Sequence, residues 1–156
     1  MKVQVVCVGK LKERFWVEAQ SEYLKRLSGY AKVEVAEVAD RDPARFGGED
    51  AAREREGEEL LARIEAKAHV VLLAIEGKER SSEDFAARLD ALKLAGTSAV
   101  AFVVGGSTGA SRAVYDRADE TLSFGRITLP HNLARIVLLE QVYRAFRISR
   151  GEPYHK

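Results

Sequence analysis

The chain has 156 residues, 46% of them hydrophobic and 31% charged, and a formal net charge of +1, which together indicate one soluble globular domain and exclude a polycation. Its apolar runs are too short to cross a bilayer, no signal-peptide pattern opens it, and its single cysteine excludes an internal disulfide. We therefore expect a cytoplasmic protein that does not enter a membrane.

The first half of the chain alternates between strand and helix patterns. Residues 3–8 form a β-branched apolar run that predicts a buried strand, and residues 12–27 carry apolar side chains at helical spacing. Residues 32–38 alternate between apolar and polar side chains, as a half-buried strand does. Residues 40–50 contain Pro and Gly and favour a loop, and residues 49–66 predict a charged helix with a narrow apolar stripe.

The second half continues this alternation as far as a long last helix. Its predicted elements are, in chain order, a buried strand over 70–75, a helix over 83–95, a buried strand over 99–104, a glycine-rich segment over 105–109, a short helix over 111–118, a strand over 121–124, a loop over 125–130, a helix over 132–149 and a tail over 151–156. Strands that are almost wholly apolar and alternate with helices predict an α/β fold, in which helices cover both faces of a mostly parallel sheet.

The predicted last helix is apolar over most of its circumference. Its apolar side chains are those of Leu133, Ile136, Val137, Leu138, Leu139, Val142, Tyr143, Phe146 and Ile148. A helix of this kind must be buried on more than one side. In a domain of this size we expect another subunit on the second side, and a symmetric dimer is the default arrangement.

The segment Gly105-Gly106-Ser107-Thr108-Gly109 directly follows the fourth predicted strand. In open α/β sheets, ligands bind beyond the carboxyl ends of the strands, where paired glycines let the backbone approach a ligand closely. The segment is neither a P-loop nor a dinucleotide-binding Gly-x-Gly-x-x-Gly motif, and it does not follow the first strand. A ligand-binding loop and a plain strand-to-helix turn are equally compatible with the pattern.

The titratable residues give no recognised catalytic or metal-binding pattern. There is no Cys pair, no His-x-x-x-His and no Ser/His/Asp set at a known spacing, so we predict no metal. His69 begins a predicted strand and is expected to be structural, and His131 is expected to cap or pack against the last helix. Glu76 and Glu79 flank Gly77-Lys78 and could be acids in a cleft, although a solvated turn is the favoured interpretation.

The C-terminal end of the chain is basic. Residues 126–156 contain six Lys or Arg against two acidic residues. Tyr154 and His155 follow Arg147 and Arg150 in this segment, and an aromatic ring beside arginines is able to stack on a base and bind phosphate. The charge pattern alone is equally compatible with a nucleic-acid contact and with a solvated helix face, and a terminal tail of this kind is usually frayed.

Several stretches resemble the bacterial ribosomal RNA large subunit methyltransferase H family. They are Val-Gly-Lys-Leu-Lys at 8–12, Leu-Ala-Ile-Glu-Gly at 73–77, the glycine segment at 105–109, and a C-terminal series at 122–124, 128–131, 141–145 and 153–155. The resemblance extends from the first strand to the last residue and implies a single SPOUT methyltransferase domain over residues 1–156. The C-terminal series is its most specific part.

The resemblance also implies the details of fold and activity. The fold would be the SPOUT α/β fold with a C-terminal trefoil knot, a feature that is very rare in proteins. The protein would be a homodimer that uses S-adenosylmethionine to methylate N3 of a pseudouridine, position 1915, in 23S rRNA of the assembled 70S ribosome. The cofactor contacts would fall at Leu73, Gly105, Phe124, Gly125, Arg126 (through its backbone), Ile127, Thr128 and Leu129.

We assign hypothetical roles to the basic C-terminal residues. His155 would be the general base or orient it, and Tyr154 would stack on or hydrogen-bond to the nucleotide. Arg144, Arg147 and Arg150 would bind rRNA phosphate. Because few basic residues lie near the predicted cofactor loop, we expect the RNA site to be built from both subunits.

Two other classes of function compete with this interpretation. A non-catalytic α/β RNA-binding or ribosome-associated module would explain the basic tail, but it would leave the glycine segment and the loop at 124–130 without a role. A nucleotide-dependent oxidoreductase is disfavoured because the glycine pattern and its position are wrong for one. Binding of S-adenosylmethionine separates the enzyme from the module.

Overall fold

A computed structural model describes residues 1–154 as five strands and five helices. They are β1 (Lys2–Val8), α1 (Arg14–Leu27), β2 (Val33–Val38), α2 (Glu49–Arg63), β3 (His69–Glu79), α3 (Ser82–Leu94), β4 (Ala99–Val104), α4 (Arg112–Arg117), β5 (Glu120–Ser123) and α5 (His131–Ser149). Each predicted element is present, in the predicted order. The helix over 83–95 begins as predicted, because the hydroxyl of Ser81 accepts a hydrogen bond from the backbone of Asp84 and caps it.

The strands form one sheet in the order β2-β1-β4-β3-β5, and every neighbouring pair is parallel. The β-branched runs of β1 and β4 occupy the middle of the sheet, where all six residues of β4 are buried. Alternate side chains of each strand point to opposite faces. Val5 and Phe102 pack in one core cluster with α3 and α5, whereas Val6 and Val103 pack in a second cluster with α2 and α4. The predicted parallel sheet with helices on both faces is confirmed.

The third strand departs from the prediction. It was expected to end before Gly77, but β3 continues to Glu79. Leu73 pairs with Leu122 of β5, the ladder is irregular over 74–77, and Lys78 then pairs with Leu122 again. Glu76 and Glu79 are exposed, as a solvated segment predicts, but they lie within β3 and not in a separate turn, because this segment pairs with β5, which is distant in sequence.

The last helix buries one side in the core and leaves another side partly open. The helix buries its own side chains of Leu138, Leu139, Val142 and Ala145 in the core. The apolar group formed by Leu133, Ile136 and Val137 is only partly buried in the single chain. Within residues 1–154, none of the helices is both long enough and apolar enough to cross a membrane.

Candidate functional site

A cavity of about 730 Å³ opens at the carboxyl ends of β3, β4 and β5. Residues of the segments 73–76, 104–110 and 122–131 form its walls, and Tyr115 and Ala134 complete the lining. This is the edge at which parallel α/β sheets bind ligands, because loops from several strands converge there. The volume is that of a small-molecule site, which is typically about 300–1,000 Å³.

The first wall is the irregular part of β3. Its course beside β5 requires a glycine, because a Cβ added to Gly77 would lie 2.9 Å from the backbone nitrogen and carbonyl carbon of Leu122. The hydroxyl of Ser123 donates to the carbonyl of Ile75 over 2.7 Å and accepts from the backbone of Gly125 over 3.0 Å. A single serine thus joins the first wall to the third.

The second wall is the glycine segment between β4 and α4. The N–H of Gly109 donates to the carbonyl of Gly106 over 3.1 Å, and a Cβ on Gly105 would lie 3.2 Å from the backbone of Gly109. Gly109 has a φ of +84°, which L side chains rarely adopt. Arg53 of α2 donates to the carbonyl of Thr108 over 2.7 Å and holds the segment from behind. The segment is therefore both a tight turn and a pocket wall.

The third wall is the loop from Phe124 to His131. Gly125 turns the chain at a φ of +104°, and the loop leads into α5. The rim of the pocket is apolar, since Ile75, Tyr115 and Ile127 are 53%, 46% and 70% exposed. Large apolar side chains that are grouped and exposed at a pocket mouth indicate a surface that a ligand or partner covers.

His131 begins α5 and lines the pocket. It packs against Gly9, whose φ is +90°, and a Cβ there would lie 3.1 Å from Nε2 of His131. The packing role predicted for His131 is confirmed; the cap is Pro130, and it makes no side-chain capping bond. The proximity of His131 to the pocket was not predicted, although it directly follows the loop whose residues were.

A buried carboxylate lies behind the glycine segment. Glu56 of α2 is 3% exposed, and its Oε2 accepts from the backbone of Arg41 over 2.9 Å. Its Oε1 has no hydrogen-bond partner among residues 1–154 and lies 3.3 Å from the position of a Cβ on Gly106. Burial raises the pKa of Glu56 and the neighbouring Asp40 raises it further, against the N–H of Arg41, which lowers it.

Comparison with known proteins gives the family. A family described as "Predicted SPOUT methyltransferase" matches residues 1–155. The ribosomal RNA large subunit methyltransferases H of Listeria monocytogenes serotype 4b (strain CLIP80459), Listeria welshimeri serovar 6b and Bacillus cereus (strain B4264) are 55%, 54% and 54% identical to the chain, with 100% of both proteins covered in each case. The chain belongs to the ribosomal RNA large subunit methyltransferase H family of SPOUT methyltransferases. The resemblance seen in its motifs is confirmed.

The structure brings together most of the residues that this family resemblance selected for the cofactor. Seven of the eight line the one cavity, namely Leu73, Gly105, Phe124, Gly125, Ile127, Thr128 and Leu129. The eighth, Arg126, is exposed and is not part of the lining. Among residues 1–154, no group of three or more His, Cys, Asp or Glu side chains is arranged to hold a metal ion.

The basic residues selected for RNA lie elsewhere and contact their own chain. Arg144 donates to Glu140 over 2.5 Å and to the carbonyl of Tyr154. Arg147 donates to the hydroxyl of Tyr143 over 2.7 Å, and the guanidinium of Arg150 lies 4.4 Å from the ring centroid of Tyr30. None of these arginines lines the pocket within the described chain.

The two catalytic candidates are at the C-terminus. The hydroxyl of Tyr154 donates to Glu83 over 3.0 Å, and this hydrogen bond raises the pKa of Tyr154. His155 lies outside the described residues. His69, in contrast, is structural as predicted: its Nε2 lies 3.0 Å from Oε1 of Glu120 at the amino edge of the sheet.

Proposed function

We propose that the chain is an S-adenosylmethionine-dependent methyltransferase and that its donor binds in the cavity at the carboxyl edge. The observation that carries this proposal is the convergence of three separate segments on one pocket, in a chain that belongs to a methyltransferase family. The residues proposed to hold the donor are Leu73, Gly105, Phe124, Gly125, Ile127, Thr128 and Leu129, with Arg126 contributing its backbone.

The pocket suits this donor in size and chemistry. Leu73, Ile127 and Leu129 offer apolar surface to the flat adenine ring, and backbone groups of the loop offer hydrogen bonds to its polar edge. Gly105 and Gly125 have no side chain, so their backbone is open to close approach by a ligand. When bound, S-adenosylmethionine supplies a methyl group on a positively charged sulfur, which makes it a methyl donor without a metal.

The proposed substrate is ribosomal RNA. The relatives that are 54–55% identical carry the name ribosomal RNA large subunit methyltransferase H. We infer that the chain methylates N3 of the pseudouridine at position 1915 in 23S rRNA of the assembled 70S ribosome. A ribosomal substrate would place the enzyme in the cytoplasm.

The chain's own task would be to align the nucleotide with the donor and to remove the proton from N3. Alignment of two reactants contributes up to about 7–11 kcal/mol to lowering a barrier. The proton transfer needs a general base, and His155 is our candidate for this base or for the residue that orients it. Tyr154 would stack on or hydrogen-bond to the nucleobase of the substrate, and Arg144, Arg147 and Arg150 would bind phosphate.

These roles require two subunits. An α-helix rises about 1.5 Å per residue, so Arg144, which contacts Tyr154, lies roughly 20 Å along α5 from His131 at the pocket. In one chain Tyr154 is therefore distant from the proposed donor. We propose a homodimer in which the tail of one subunit completes the pocket of the other, and the partly open apolar group Leu133, Ile136 and Val137 supports such an interface.

The trefoil knot remains a proposal as well. Leu122 of β5 pairs with both Leu73 and Lys78 of β3. The ladder is irregular between these two pairings, and we propose that residues 74–77 form a loop that passes β5 there. A chain that follows β5 through such a loop and continues into α5 would be threaded, as the SPOUT knot requires.

Two measurements test the proposed function. Isothermal calorimetry with S-adenosylmethionine should show binding, and a protein that binds none would be better described as a non-catalytic RNA-binding module. Methyl transfer to 70S ribosomes lacking the modification should be fast for the wild type and strongly reduced for His155→Ala at saturating donor. An unchanged rate would eliminate His155 as the base.

A further inference from the structure

A buried arginine lies directly behind the wall of the proposed donor pocket. Arg135 of α5 is 1% exposed. Its Nη2 donates to the carbonyl of Gly9 over 2.7 Å, and its Nη1 donates to Glu37 over 2.6 Å and to Gln20 over 3.2 Å. One guanidinium therefore ties α5 to the connection after β1, to β2 and to α1.

This arginine is coupled to the pocket through Gly9. Arg135 lies one helical turn after His131, so both side chains project from the same side of α5. The ring of His131 packs on Gly9, and the guanidinium of Arg135 binds the carbonyl of the same residue. Gly9 is thus held by both side chains, and His131 is a lining residue of the pocket.

Within residues 1–154, the start of α5 has few other polar contacts to hold it. Pro130 provides no side-chain cap, and the first turn contains no acidic residue. A helix start without a cap depends on tertiary contacts for its position. Arg135 provides such contacts near the first turn, because its three acceptors belong to three other parts of the fold.

A contribution to folding stability does not by itself explain why a charged residue is buried at this position. A buried ion pair often contributes no more to folding than apolar side chains of the same volume would, because both charges must leave water. Nε of Arg135 even lacks a hydrogen-bond partner among residues 1–154. What the guanidinium provides, and an apolar side chain would not, is a fixed geometry with three acceptors.

We propose that Arg135 is a positioning residue for donor binding. It fixes the first turn of α5, and with it His131 and the loop at 124–131, in the geometry that the donor requires. The inference rests on the proposed function of the pocket. Arg135 is not part of the pocket lining in the described chain, so it acts through Gly9 and His131 rather than by touching the donor.

The test compares Arg135→Met and Arg135→Lys with a matched control at the other end of the sheet. Arg88 donates to Glu120 over 3.1 Å, so Arg88→Met removes a guanidinium–carboxylate pair away from the pocket. Affinity for S-adenosylmethionine is measured by calorimetry at a temperature where every variant is folded, and the melting temperature is measured for each. KM for the donor and kcat are measured with ribosomes.

We expect Arg135→Met to weaken donor binding about tenfold or more and to raise KM for the donor, with kcat at saturating donor nearly unchanged. Arg135→Lys should recover part of the affinity, because its ammonium can reach some of the acceptors. Arg88→Met should lower the melting temperature and leave the affinity at the wild-type value. If Arg135→Met does not fold, Glu37→Gln, which removes the charge of one acceptor and keeps its shape, should weaken binding several-fold.

The outcomes separate the two proposals. Wild-type affinity in the Arg135 variants, whatever their melting temperatures, would overturn the positioning role and leave the proposed function intact. An equal loss of affinity in Arg88→Met would also overturn it, because the effect would then follow from stability. A wild-type protein that binds no donor would overturn both.

Discussion

A partly or wholly buried carboxylate lies at each of the two edges of the sheet. The surroundings of the two carboxylates shift their pKa values in opposite directions. At the amino edge, burial opposes ionisation of Glu120, but hydrogen bonds from His69 and Arg88 outweigh it and lower its pKa. At the carboxyl edge, burial raises the pKa of Glu56, and a neighbouring acid raises it further. One carboxylate is stabilised in its charged form and the other is not.

This contrast extends to the surroundings. Near Glu120, the guanidinium groups of Arg80 and Arg88 bind its carboxylate, and the ring of His69 forms a hydrogen bond with it within the chain. Around the pocket, the apolar side chains of Ile75, Tyr115 and Ile127 are exposed, and buried polar atoms of Glu56 and Thr108 lack partners among residues 1–154. Unsatisfied polar atoms and exposed apolar groups are expected where a site awaits a ligand or a partner. This difference supports the proposal that the carboxyl edge holds the functional site and that the amino edge is structural.

The largest expected effect is at Gly77. Gly77→Ala places a Cβ 2.9 Å from the backbone of Leu122, which cannot move as a flexible side chain could. We expect a loss of roughly 1–3 kcal/mol in the free energy of unfolding and a clear loss of donor affinity, because the wall at 73–76 must shift. Urea unfolding and calorimetry measure the two quantities.

Gly29→Ala is the matched control for this substitution. A Cβ at Gly29 would meet nothing within 4 Å, so the variant should match the wild type in stability and in donor affinity. Wild-type donor affinity in Gly77→Ala would contradict the idea that β3 shapes the pocket.

A smaller effect is expected at the amino edge. Glu120→Gln removes the charge that Arg80 and Arg88 bind, so we expect a loss of roughly 1–2 kcal/mol at neutral pH and no change in donor affinity. Because the folded pKa is below the ordinary value of 4.5, the stability contributed by the carboxylate is present above pH 4.5 and is lost as pH falls through the folded pKa. Urea unfolding as a function of pH should show this loss in the wild type and not in the variant.

The control for Glu120 is Glu18→Gln, which removes an exposed carboxylate paired with Arg14 and should cost little. Equal losses in the two variants would mean that the cluster at the amino edge contributes no more than a surface pair. A change in donor affinity in Glu120→Gln would contradict the interpretation that the amino edge is independent of donor binding.

The sequence predicted the elements of this fold well because their signals are local. Buried strands and amphipathic helices are written in short apolar patterns, and all five strands and five helices were found in order. Seven of the eight residues predicted to contact the cofactor line the pocket, but they were predicted from the resemblance to a family rather than from periodicity. The glycine segment alone left a turn and a ligand loop equally open.

The features that were not predicted depend on partners distant in sequence. The course of β3 beyond Gly77 is set by pairing with β5. The burial of Arg135 depends on acceptors in three other parts of the fold, and the burial of Glu56 depends on α2 packing behind the glycine segment. The sequence contains one indication that Arg135 would be buried. It is a charged residue, four positions after His131, in a helix that is otherwise apolar over most of its circumference.

At Glu56 the expected pH dependence of folding stability has the opposite sign to that at Glu120. Because its folded pKa is raised above 4.5, the folded protein binds more protons than the unfolded chain between that value and the folded pKa, so stability falls as pH rises through this window. Glu56→Gln can still accept from the backbone of Arg41 and has an N–H group to offer Asp40. We expect it to be neutral or stabilising by up to about 1 kcal/mol at neutral pH, with a flatter pH profile in urea unfolding.

A marked destabilisation by Glu56→Gln at neutral pH would sink this interpretation, because it would mean that the charged form is bound by a favourable partner. The contrast with Glu120→Gln is the sharper measurement: the pH profiles of the two variants should depart from the wild type in opposite directions.

The smallest expected signal comes from Cys7, in β1 between the two edges. Burial raises the pKa of its thiol to about 12, and the nearby Arg135 lowers it by less. Since the thiolate is the reactive form, we expect no alkylation by iodoacetamide in the native protein at neutral pH and rapid alkylation in denaturant. The same alkylation experiment on Gly77→Ala and Glu120→Gln measures whether a substitution at either edge exposes Cys7 in β1. Alkylation of the native wild type at the rate of the unfolded chain would mean that the centre of the sheet is not closed, and that the two edges do not stand apart as independent regions.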